Sequence, residues 1–103
     1  MNGRKIAFDR IASDALSNIS SILPRWLPDG RREGAEWVAR NPRRADNKPG
    51  SFKINLKSGR WGDFATGDRG GDLVSLAAFL FGLNQAEAAQ RVAEMVGCRA
   101  YDD

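Results

Sequence analysis

Apolar side chains recur at Phe8, Ile11, Ala12, Ala15, Leu16, Ile19, Ile22 and Leu23, in steps of three and one that align them on one stripe. The spacing predicts a helix over residues 8–23. Pro24 and Pro28 stop it on either side of Arg25-Trp26-Leu27, and Pro28-Asp29-Gly30 is a turn signal. Glu36 to Arg40 alternates as a short strand, and the proline- and charge-rich stretch 41–50 reads as an exposed loop. Residues 51–57 alternate strictly, with Phe52, Ile54 and Leu56 on one face and Lys53, Asn55 and Lys57 on the other. Ser58-Gly59 turns the chain, and residues 60–64 return with Trp61 as the heaviest side chain. A contact between Phe52 and Trp61 on paired strands is therefore expected. A glycine-bearing loop, 65–71, leads to a helix over 72–81 with Asp72 at its N-cap and Gly82 beyond its end. Asn84-Gln85-Ala86-Glu87 reads as a capping box opening a third helix, 86–96, with Gly97 at C′. The class is α+β: an N-terminal helix, a small antiparallel sheet of about three strands and a C-terminal helical hairpin. One domain over 1–97 is expected, with 98–103 a tail or the start of a linker to a larger protein.

Composition narrows the chemistry. A chain of 103 residues suits one modest core. It contains no apolar run long enough to span a bilayer and no signal-peptide core, so a soluble, cytoplasmic protein is expected. A single cysteine, Cys98, excludes an internal disulfide. Histidine is absent, which removes the commonest general base and, with one cysteine, any conventional zinc site. No catalytic constellation emerges, and the chain is not expected to be an enzyme by itself.

The net charge of +3 hides an asymmetry. Residues 31–60 carry nine basic side chains (Arg31, Arg32, Arg40, Arg43, Arg44, Lys48, Lys53, Lys57, Arg60) against Glu33, Glu36 and Asp46, whereas 61–103 are acidic overall. Such a basic segment is either a polyanion footprint or a solvated loop. Aromatics on a sheet beside lysine and arginine make a platform for single-stranded nucleic acid. Phe52 and Phe64 read as sheet core and Trp61 as the ring free to stack a base. The segment 65–72 matches no phosphate-loop spacing, and Asp68 and Asp72 would repel an anion, so it reads as a turn. Asp63, Asp68 and Asp72 fit no calcium loop. The apolar cluster Leu73–Leu83 reads as core, with a stripe able to dock a neighbouring domain.

Certain runs resemble a known family: Lys48-Pro49-Gly50-Ser51-Phe52-Lys53-Ile54-Asn55, Trp61-Gly62-Asp63-Phe64, Gly70-Gly71-Asp72-Leu73-Val74-Ser75-Leu76 and Glu87-Ala88-Ala89. Over about residues 36–97 they are similar to the zinc-ribbon domain at the N-terminus of bacterial and phage DNA primases. The likeness is greatest to the version that opens primase–helicase proteins of plasmids, phages and integrated elements. The family's first ligand pair, Cys and His, would fall near Asn41 and Arg44, and its Cys-x-x-Cys pair near Phe64 and Gly67. None of these side chains ligates zinc, so the resemblance implies a degenerate, zinc-free ribbon, with no cofactor, held by helix 8–23 and an aromatic core around Trp61.

The resemblance further implies template recognition. On that reading Lys53, Lys57 and Arg60 contact phosphates from the sheet, with Arg40, Arg43, Arg44 and Lys48 on the flanking loop, and Trp61 stacks a base. The expected partners are single-stranded DNA and the other domains of a primase–helicase, which would carry out primer synthesis. The rival reading is a protein-interaction module that docks the polymerase or helicase part through Leu73–Leu83 without touching DNA.

Overall fold

The apolar stripe of residues 8–23 folds as two helices, because Asn18 interrupts it. The computed structural model describes residues 5–43 and 50–102. In it α1 runs Phe8–Ser17 and α2 Ile19–Trp26. Asn18 ends the first helix by donating from Nδ2 to the Asp14 carbonyl at 2.8 Å, and its own carbonyl accepts the Ser21 and Ile22 amides that start the second. Pro24, expected to stop the helix, lies inside α2 instead. The carbonyl deprived of its amide partner is that of exposed Ser20, which water can satisfy.

The sheet has five antiparallel strands in the order β2 (Arg31–Glu33), β3 (Glu36–Ala39), β4 (Phe52–Asn55), β5 (Trp61–Asp63), β6 (Arg69–Gly70). The three inner strands are those the alternation predicts. The outer two are short edges: β2 is wholly exposed, and β6 falls within the glycine-bearing loop. The pairing Ile54↔Trp61 and Phe52↔Asp63 sets Phe52 and Trp61 diagonally on one face, their rings edge to face at 6.1 Å. β4 turns into β5 through Asn55, whose Oδ1 accepts the Lys57 and Ser58 amides, and through Gly59 at φ +79°.

Against this face pack the helices. α3 (Leu73–Phe81) and α4 (Gln85–Val96) open on capping boxes, Asp72 with Ser75 and Asn84 with Glu87, and end on left-handed Gly82 and Gly97. Phe52, Ile54 and Trp61 join Ile11, Leu23, Leu73, Leu76 and Val92 in one buried cluster. Finally, β1 (Lys5–Ile6) pairs antiparallel with β7 (Tyr101–Asp102), so residues that read as a tail form part of the folded unit. Arg10 fastens this pair, donating to the carbonyls of Arg99 and Tyr101 and to the Asp102 carboxylate at 2.9 Å.

Candidate nucleic-acid interface

Strand pairing decides which side chains share the sheet's outer face. Lys53 pairs Gly62, which pairs Arg69, and residues two apart on β5 put Arg60 and Phe64 on the same side as Gly62. Gly62 has no side chain, so the centre of this face is an open depression of about 660 Å³. Lys53, Arg60, Phe64 and Arg69 line it, together with Glu36 and Asp68. Phe64 is 83% exposed, and the Lys53 ammonium lies 5.8 Å from its ring centroid. Lys53 also approaches Glu36 at 3.9 Å, a half-exposed pair worth under about 1 kcal/mol, so the lysine can leave it for a phosphate. Asp68 is turned to its own loop, accepting the Thr66 hydroxyl at 2.7 Å. Among the described residues Arg60 and Arg69 form no ion pair.

Two assignments are reversed. Trp61, expected to stack a base, is 6% exposed and faces the helices. Its Nε1 donates to Ser75 Oγ at 3.0 Å and its ring lies 4.9 Å from that of Phe79. A Cβ on Gly70 would come within 2.4 Å of that indole nitrogen, so the neighbouring strand must carry glycine there. Phe64, expected in the core, is the exposed ring. The parity of β5 is responsible: with Trp61 and Asp63 facing inward, Phe64 must face out.

The other predicted cations are dispersed. Arg40 is exposed at the end of β3. The Arg43 guanidinium sits beside Gly82, where the carbonyl end of α3 favours a cation, and not with Lys53. Lys57 lies near Arg32 and Ala35, beside the β2–β3 turn. Arg44 and Lys48 fall outside the described residues. Arg69 was missed because β6 is too short to show alternation. Cys98 is half-buried; burial and Asp14 push its thiol pKa up against the opposing effect of Arg10, which disfavours the thiolate.

No protein-family model and no curated protein matches the sequence. Among solved structures, the chain is similar to the crystal structure of the Aquifex aeolicus primase, comprising its zinc-binding and RNA polymerase domains. The TM-score is 0.70 at 21% identity, over 92% of this chain and 22% of that one. The class defined by the fold is thus α+β, a small antiparallel sheet with helices on one face, and that fold is shared with part of the primase structure. This chain spans about a fifth of the length of the protein it resembles.

Zinc, which that fold implies, does not fit the residues present. Of the positions where its ligands would fall, Asn41 is hydrogen-bonded to Asp63, Phe64 points outward, and Gly67 has no side chain. Among the described residues no group of three His, Cys, Asp or Glu could hold a metal ion.

Proposed function

We propose that this domain binds single-stranded DNA as a non-catalytic module of a primase or primase–helicase serving a phage or mobile element, with primer synthesis carried out by other domains in the cytoplasm. The carrying observation is the depression at Gly62, where an exposed aromatic ring stands among Lys53, Arg60 and Arg69. Single strands need this combination: cations track phosphates while a ring takes one base face. The fold shared with a primase supports the same reading. Among the described residues no helix is long and apolar enough to cross a membrane.

The test is fluorescence anisotropy of a labelled single-stranded oligonucleotide at about 50 mM salt. The chain should bind it, and the triple variant Lys53→Ala/Arg60→Ala/Arg69→Ala should bind at least about tenfold more weakly with its melting temperature unchanged. Absence of binding by the unaltered chain sinks the reading.

One observation favours the docking alternative. Phe81 is 51% exposed, edge-on to Trp26 at 5.7 Å, at a groove also lined by Leu83, Arg91 and Met95. Phe81→Ser should leave DNA binding intact and abolish capture of the polymerase or helicase part if docking occurs there.

A further inference from the structure

Asn41 and Asp63 are the buried polar residues among the described side chains, each 2% exposed. A carboxylate and an amide removed from water are costly unless each lone pair and N–H is met. Here they meet each other: Asn41 Nδ2 donates to Asp63 Oδ2 at 2.8 Å. Each then uses its remaining oxygen to close its own loop. Asn41 Oδ1 accepts the Arg43 amide and Asp63 Oδ1 the Ala65 amide, both at 2.8 Å and both two residues onward. Two like-built turns, one after β3 and one after β5, are thus joined through the Asn41–Asp63 side-chain contact.

On the resemblance drawn from the sequence, the ribbon family's two ligand pairs would fall on these turns, near positions 41 and 44 and positions 64 and 67. We propose that the Asn41–Asp63 hydrogen bond replaces zinc as the clasp between them, so that this domain folds without metal. The clasp also orients the outer face. Arg40 and Phe64 are the immediate neighbours of its two members and point outward because Asn41 and Asp63 are held inward.

The arrangement has a distinctive test, because it is chemically symmetric. In Asn41→Asp two carboxylates confront each other. In Asp63→Asn an amide N–H competes with the Ala65 amide or with Asn41. Exchanging both residues restores these three bonds: the new aspartate accepts from the new asparagine and from Arg43, and the asparagine oxygen accepts from Ala65. Thermal unfolding of the full chain should show each single variant melting about 10 °C lower or not folding, with the double exchange regaining most of the loss. The unaltered chain, purified and assayed by elemental mass spectrometry, should hold far less than one zinc per chain. Its melting temperature should be the same with and without EDTA. Stoichiometric zinc, a melting temperature lowered by EDTA, or a double exchange no better than the single variants would each overturn the proposal.

Discussion

Phe64 illustrates how one position is settled by its neighbour. A large apolar ring left 83% exposed gains nothing in folding, and Lys53 above it keeps a charge over its face. Stacking a base on such a ring contributes on the order of 1–3 kcal/mol. Phe64→Ala should therefore weaken single-strand binding about 5- to 100-fold in an anisotropy titration while leaving the melting temperature unchanged. Alternation along residues 60–64 was visible in the sequence, but not which parity faces the helices, since both Trp61 and Phe64 are aromatic. The choice is fixed by partners remote in sequence: Ser75 for the indole N–H and Asn41 for Asp63. Neither pairing leaves a local mark.

At the scale of elements, what depends on local chemistry was legible. Strict alternation marks β4, and both capping boxes and both left-handed glycine ends follow from residue type at fixed offsets. Asp72 accepts the Ser75 amide at 2.8 Å. Asp72→Ala should cost about 1 kcal/mol, seen as a fall of about 4–8 °C in melting temperature by circular dichroism. What depends on distant partners was not legible. β2, β6 and β7 have two or three residues each and exist only because a neighbouring strand supplies their hydrogen bonds. The break at Asn18 was hidden because the apolar stripe runs through it unbroken.

Across the whole molecule, charge and shape bear on binding together. The basic third of the chain does not form one patch: Arg43 goes to the end of α3, Lys57 to the hairpin side, and the depression gathers Lys53, Arg60 and Arg69. Three phosphate contacts with a single strand imply a slope of about −2 in log affinity against log salt. Affinity should accordingly drop about 20-fold between roughly 50 and 200 mM salt, measured by the same titration. A slope near zero would leave these cations without a role in binding.

The pairing of Lys5 with Asp102 has a mechanical consequence. The amino end of β1 lies beside the carboxyl end of β7, so tension applied through the two ends of the chain acts at one edge of a two-residue ladder. Loaded that way, the ladder opens as a zipper, one hydrogen bond after another, instead of shearing all at once. The Arg10 guanidinium, which holds the Arg99 and Tyr101 carbonyls together with Asp102, and the Ala7 amide on the Ala100 carbonyl fasten the seam before force reaches the core. A domain tethered at both ends to moving machinery would thus yield slack at its seam first, with the outer sheet face still intact.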